Sequence, residues 1–159
     1  MSNAFKIKKM FLLGLASWLA EQNLVGRLSR ERSRFVQILS AEINKIEEER
    51  KAIIEKYVEK EEDGTTWKKT VDNGVERWSI PEEKQAEMQK EYADLMDEDF
   101  VLDIGEEHKA KTLTVKDILL NTDYKFGPQG TTNPAEAEAK VRQANDYEKW
   151  CEAFESLDL

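Results

Sequence analysis

Arg27, Arg30, Arg32 and Arg34 surround Ser29 at the head of a long stretch without Gly or Pro. A guanidinium fork grips a carboxylate or phosphate through parallel N–H donors, so arginine rather than lysine at these positions points to anion recognition. The setting strengthens the point. Serine is a good N-cap, and a helix start offers free backbone N–H groups to an anion. Basic side chains there oppose the helix dipole at about 0.3–1 kcal/mol each when exposed, and Glu31 offsets only part of this. Arg30 and Arg34, four residues apart, face one side, with Arg27 available to join them. The candidate anion- or partner-binding residues are therefore Arg27, Ser29, Arg30 and Arg34. Two occupants remain open: acidic residues from later in this chain, or a phosphate or carboxylate of a partner.

Other reactive residue types lack the company that chemistry needs. His108 stands among Glu106, Glu107 and Lys109 in an expected turn, without the partner a catalytic base requires. Cys151 falls on an apolar stripe without a basic neighbour to lower its pKa, and reads as a small hydrophobe. Gly127-Pro-Gln-Gly130 lacks the lysine and the strand–loop–helix setting of a phosphate loop. Asp97-Glu98-Asp99 lacks the glycine and spacing of a calcium loop. No catalytic residues, metal ligands or cofactor are expected, and the chain is read as not an enzyme.

Charge carries more information. The 159 residues have a net charge of −9, which argues against direct duplex DNA binding through a uniformly basic surface. Residues 1–60 hold 12 Lys/Arg and 8 Asp/Glu, whereas residues 61–159 hold 12 Lys/Arg and 25 Asp/Glu. The halves either attract each other or face different partners. The single cysteine excludes an internal disulfide framework, and the single histidine a His-rich metal site. No run approaches the ~18 apolar residues of a membrane-spanning helix.

These residues must be positioned by an α+β fold in which helices dominate. The expectation is one domain over 1–159, with a helical part at 10–62, a hairpin at 67–80 and a mixed part at 81–159. Phe5 and Ile7 alternate with Lys6 and Lys8 as in a strand, and Phe11, Leu12, Leu15, Trp18 and Leu19 follow at helical spacing, with Gly26 as a stop. Ser29 would cap a second helix of about 32 residues, near 48 Å long at ~1.5 Å per residue. Its apolar stripe continues to Ile46, Ile53 and Tyr57. That length exceeds one small core, so a homo-oligomer formed through the long helix is expected.

Asn73-Gly74 between β-prone arms is a hairpin signature, since a type I′ turn needs positive φ at both positions. The register pairs Lys69 with Trp78 and Asp72 with Val75, placing Trp67, Val71, Trp78 and Ile80 on one face, expected to cover the long helix or the core. Ser79 and Glu82 have capping-box spacing around Pro81 and start a third helix, with Met88, Tyr92, Leu95 and Met96 on one side. Phe100–Ile104 and Ala110–Leu113 read as two strands, with Thr114 capping a short helix to Leu120. Asn121–Thr132 is expected to be a loop. Asn133-Pro134 opens a C-terminal helix striped with Val141, Tyr147, Trp150, Cys151, Phe154 and Leu157.

Met1-Ser2-Asn3-Ala4 has the look of a remnant of tag removal. Lys6, Lys8 and Lys9 ahead of Met10–Ala20 imitate a signal peptide. The apolar stretch is short and Trp18 sits badly for a cut at Ala20, so the segment is read as structural and the protein as cytoplasmic.

Leu24-Val-Gly-Arg-Leu-Ser-Arg-Glu-Arg-Ser-Arg-Phe35, the following Glu/Lys helix and Glu61-Glu-Asp-Gly64 resemble a small family of bacteriophage proteins of unknown function, and Asp146–Phe154 is similar to that family's end. The Trp-bearing hairpin departs from it. The resemblance implies a phage origin and the host cytoplasm, and assigns no site residues. A non-catalytic accessory protein that binds and modulates or inhibits a host protein is then the first expectation, a defence nuclease being one such target if the acidic half mimics nucleic acid. A virion structural or assembly protein and a binder of a small phosphorylated ligand at the arginines are the alternatives.

Overall fold

The structure is a computed structural model that describes residues 3–121 and 133–159. The fold is α+β with helices dominant. Its elements are β1 (Ala4–Lys8), a 3-10 turn (Lys9–Phe11), α1 (Leu12–Glu21), α2 (Gly26–Tyr57), β2 (Lys69–Asp72), β3 (Val75–Trp78), α3 (Glu82–Met96), β4 (Asp99–Asp103), α4 (Gly105–Leu120) and α5 (Pro134–Glu155). The chain divides into two compact units. Unit 1 comprises residues 1–43 and 99–159, and unit 2 comprises residues 44–98. The boundary falls inside α2, and α3 belongs with the hairpin rather than with the elements that follow it.

In unit 1, β1 and β4 form an antiparallel pair running from Ala4↔Asp103 to Lys8↔Asp99. The period-two pattern holds: Phe5 and Ile7 are buried while Lys6 is exposed. Asn3 and Ala4 take part, Ala4 in the ladder and Asn3 by accepting from the Ile104 N–H at 3.1 Å. Phe5 meets Phe154 with ring centroids 4.7 Å apart, and Phe35 of α2 closes the cluster at 5.6 Å from Phe154. Trp18 and Trp150 stack obliquely at 6.1 Å, and the Trp150 indole N–H donates to the Phe11 carbonyl at 3.2 Å. Gly14 lets α1 lie flush on α5, since a Cβ there would sit 3.1 Å from Trp150 Cζ2.

Several local expectations are corrected. Gly26 does not stop the first helix; α1 ends at Glu21 and Gly26 begins α2. Ser29 is consequently inside the helix and is not its N-cap. Ala110–Leu113 is not a strand but the middle of α4, and the partner of β4 is β1 from the far end of the chain. His108 lies in that helix rather than in a turn, and Thr114 caps nothing, bonding back to the Ala110 carbonyl at 3.0 Å. The buried residues of this stretch are Ile104, Thr112, Val115 and Leu119. That is a helical period, masked in the sequence by Thr112 and Thr114. Asn133 caps α5 as expected, accepting from the Ala135 N–H at 3.0 Å. On α5, Trp150 and Phe154 are buried and Leu157 just beyond it is too, but Val141 is exposed. Residues 122–132 of the expected loop, with Gly127-Pro-Gln-Gly130, lie outside the described residues.

In unit 2, Ile46 and Ile54 of α2, Val58 just beyond it and Leu95 of α3 are buried within the single chain. The far end of the long stripe therefore has cover without a second copy. The hairpin has the expected register, Lys69↔Trp78 to Asp72↔Val75, with Asn73 at φ 49° and Gly74 at φ 79°. Trp67 meets Trp78 edge-on at 5.1 Å and its indole N–H donates to Glu55 on α2, but Trp78 and Val71 remain exposed. The hairpin strands thus cover less than expected: all eight of their residues are exposed. Ser79 forms no capping box. Pro81 occupies the N-cap position without a side-chain cap bond, and Ser79 Oγ donates to Glu59 Oε2 at 2.7 Å.

The loop between α2 and the hairpin turns on Asp63. Its carboxylate accepts from the Thr65 and Thr66 N–H groups at 2.9 and 2.8 Å and from the Thr66 hydroxyl. The Thr66 hydroxyl and the two N–H groups favour the charged form and pull the Asp63 pKa from 3.8 to about 2. A depressed carboxylate supports the native state above its unfolded pKa, and that support is lost as pH falls through the folded value. Acidification from pH 4 to 2 is therefore expected to release this loop. The Thr65 and Thr66 amide shifts should titrate with a midpoint near 2, and a midpoint near 4 would show that the hydrogen bonds do not form.

Candidate functional site

The arginine-rich start of α2 splits into three roles. Arg32 turns back onto the end of α1, where its Nη1 donates to the Leu19 carbonyl at 2.6 Å and the Gln22 carbonyl at 2.9 Å. A cation at a helix C-terminus satisfies carbonyls that have no intrahelical donor and opposes the negative end of the dipole. Ser29 serves this same group, its Oγ lying 3.4 Å from Arg32 Nη2. Arg34 pairs with buried Glu31 at 3.0 Å, within the same turn of helix. Among the described residues, neither takes a carboxylate from the acidic second half, one of the two occupants that the sequence left open. Arg27 and Arg30 are exposed and form no hydrogen bond or ion pair among the described residues.

Positions 27, 30 and 34 recur at helical spacing, so Arg27, Arg30 and Arg34 share one face of α2, whereas Ser29 lies off it. Arg27 also borders an open groove of about 450 Å³ with Lys109, Glu106 and Asp117, over Leu28 and Leu113. Two cations and two carboxylates leave that groove without a net preference for anions.

The strongest charge asymmetry lies in unit 2, which holds 10 Lys/Arg and 17 Asp/Glu over residues 44–98. Unit 1 holds 14 and 16. Within unit 2 the carboxylates converge on the seam between α2 and α3. Glu49, Glu91, Asp94 and Glu98 rim a groove of about 350 Å³ whose floor is Ala52, Ile53 and Leu95, with Lys56 as its one cation. Lys56 is committed to Glu91 at 3.0 Å. Glu91 also accepts from the Tyr57 hydroxyl at 2.5 Å. That bond, followed by Lys56, lowers the Glu91 pKa, and Glu91 in turn pushes the Tyr57 phenol up to about 12. Glu91 is thus the internal anchor of the seam, while Glu49 and Asp94 form no ion pair among the described residues. Ile53 also floors a second groove of about 280 Å³ beside Glu47, Arg50, Met88 and Tyr92.

Sequence reasoning missed this seam. The signal was present: Glu83, Glu87, Glu91, Asp94 and Glu98 recur at steps of four, four, three and four. On α3 the first four of these carboxylates face one way, about 6 Å apart along the axis at each four-residue step, and Glu98 follows just past the helix end.

His108 and Cys151 do not join either cluster. His108 Nδ1 lies 3.0 Å from Lys111 Nζ on the same helix. Burial raises the Cys151 thiol pKa, with Tyr147 as a hydrogen-bond neighbour. Among the described residues no group of three or more His, Cys, Asp or Glu is arranged to hold a metal ion, and no helix is long and apolar enough to cross a membrane. No family model, curated protein or solved structure matches the chain.

Proposed function

We propose that this is a non-catalytic phage accessory protein that binds a host protein in the host cytoplasm and modulates or inhibits it, with unit 2 as the binding element. The observation that carries the reading is the α2–α3 seam: an apolar floor of Ala52, Ile53 and Leu95 rimmed by four carboxylates, two of them uncommitted. Such a surface suits a basic partner with apolar anchors. The floor supplies burial, and the rim supplies fast, salt-sensitive association. A nucleic-acid groove in a defence nuclease has this chemistry, because it is built to neutralise a row of phosphates. The carboxylate row of α3 would offer it a row of the same sign.

The test is charge reversal away from the internal anchor. Glu87 and Asp94 are exposed, so E87K/D94K should shift stability by less than about 0.5 kcal/mol. Host proteins captured from lysate on the native chain should be lost on the variant, with affinity at least tenfold weaker for the partner, or about 1.4 kcal/mol. Nuclease inhibition, where a nuclease is captured, should be lost in parallel. Undiminished capture by E87K/D94K would sink the seam as the interface.

A second reading, a binder of a small phosphorylated ligand, is favoured by the uncommitted guanidinium groups of Arg27 and Arg30. Titration with inorganic phosphate and nucleotides separates the two, since only this reading expects R27A/R30A to abolish saturable binding.

A further inference from the structure

The two-stranded sheet of unit 1 has one flanked strand and one open edge. β1 packs beside both β4 and α5, whereas among the described residues no strand lies on the other side of β4. In an antiparallel ladder, opposed pairs alternate between hydrogen-bonded and non-bonded. The Ile104 N–H donates to the Asn3 carbonyl, which sets the phase: Phe5↔Leu102 and Ile7↔Phe100 are the bonded pairs. The N–H and C=O groups of Asp99, Val101 and Asp103 therefore point away from β1. None of them has a backbone partner among the described residues. The side chains of these three residues are exposed, while Phe100 and Leu102 are half-buried. A bare strand edge of this kind is a template for another strand.

The charges on the edge decide what can pair there. A second copy docked antiparallel about Val101 would set Asp99 against Asp103 of its partner, twice. Parallel pairing in register would stack each aspartate on its own counterpart. Like charges directly across a ladder are destabilising, so the edge rejects its own kind. β1 shows what the strand accepts. On the occupied side Lys6 faces Val101 and Lys8 faces Asp99, with Lys6 Nζ 3.1 Å from the Asp99 carboxylate. Asp103 faces Ala4 there and forms no ion pair among the described residues.

We infer that the outer edge of β4 is a strand-addition site for an extended basic segment of another protein. The segment carries cations at alternate-face positions opposite Asp103 and Asp99, and an apolar side chain between them opposite Val101. Main-chain hydrogen bonds to Asp99, Val101 and Asp103 supply affinity. Asp99 already has Lys6 at 3.1 Å and Lys8 at 4.0 Å on the β1 side, so selectivity for a basic segment rests on Asp103. A third strand also adds to a sheet that is marginal with two. This site lies in unit 1 and does not depend on the reading of unit 2.

The probe is a blocked Lys-Thr-Val-Thr-Lys peptide added to the full-length isotope-labelled chain, read by amide shifts and hydrogen exchange. The amides of Val101 and Asp103 should shift saturably and exchange more slowly, while those of Phe100 and Leu102, already turned toward β1, keep their protection. The Glu-Thr-Val-Thr-Glu peptide should leave the spectrum unchanged. D103K should weaken the basic peptide at least tenfold. D103N, which removes the charge without adding one, should weaken it severalfold and serves if D103K perturbs the fold. No saturable shift at millimolar peptide, equal binding of the acidic peptide, or unchanged affinity in the folded Asp103 variant would each overturn the inference. So would doubling of the chain's mass with the same amides protected, because that would make a second copy the occupant.

Discussion

Replacing Trp150 with Ala should cost unit 1 about 3–5 kcal/mol of stability. The side chain is fully buried and its rings meet Trp18 at 6.1 Å and Tyr147 at 6.4 Å. Truncation removes the transfer free energy of an indole and leaves a void that Gly14 cannot help fill, since it has no side chain to move inward. It also strips the Phe11 carbonyl of its donor at 3.2 Å, adding the penalty of a polar group left without its bond. Against a typical stability of about 5–15 kcal/mol, this is a large share of what holds the unit together. Urea unfolding followed by near-ultraviolet circular dichroism measures it. W78A is the control, because Trp78 is 41% exposed on the hairpin and should lose about 1 kcal/mol at most. Comparable losses from the two variants would mean that the Trp18–Trp150 contact does not organise the core.

The second large effect concerns an arginine outside the candidate set. R32A should destabilise by about 1.5–3 kcal/mol, the range for hydrogen bonds from a charged donor. Arg32 is half-buried and ties the end of α1 to the start of α2. R27A/R30A should instead stay within about 0.5 kcal/mol of the native chain, because both side chains are exposed and their loss relieves unfavourable charge at a helix N-terminus. Thermal unfolding of the two variants side by side gives the comparison. If R27A/R30A loses as much as R32A, the division of roles among these arginines is wrong.

That division shows where sequence reasoning reached its limit. Four arginines near Ser29 were read as seeking anions, and the backbone carbonyls that Arg32 takes were not foreseen. The assignment turned on whether α2 began at Gly26 or Ser29, and a start three residues earlier moved Ser29 from cap to interior. Helix boundaries are the least legible feature of a sequence because capping competes among neighbouring Ser, Gly and Asn residues. The Asn73-Gly74 turn and its register were legible, since a turn requiring positive φ at two positions admits few sequences, but the ladder stops at Lys69↔Trp78, and Trp67, expected opposite Ile80, bridges Lys60 instead. Ala110–Leu113 was misread because short apolar runs with threonine suit a strand as well as a buried helix face. The partner of β4 was not legible at all, for nothing local in Phe100–Ile104 encodes a strand at the other end of the chain. The seam was half legible: the α3 carboxylate row is written in its spacing, but its meeting with Glu49 over Ile53 is tertiary.

The pairing of β1 with β4 also sets the order in which the chain can fold. Joining them closes a loop of roughly 90 residues, whose entropic cost grows slowly with length, by about 0.6 kcal/mol per doubling. Unit 2 is contiguous in sequence and can form inside that loop. Its folding brings Glu49 and Glu98 to one groove, which draws together the points where the chain leaves unit 1 and returns to it. What is left to close is little more than the stretch from β1 to the middle of α2. Emergence from a ribosome runs in the same order. At about 5–20 residues per second, β1 waits roughly 5–20 s for its partner strand, and Phe5 and Ile7 wait with it. During that interval Lys6, Lys8 and Lys9 are the charges that keep this apolar segment from pairing with its like on neighbouring nascent chains.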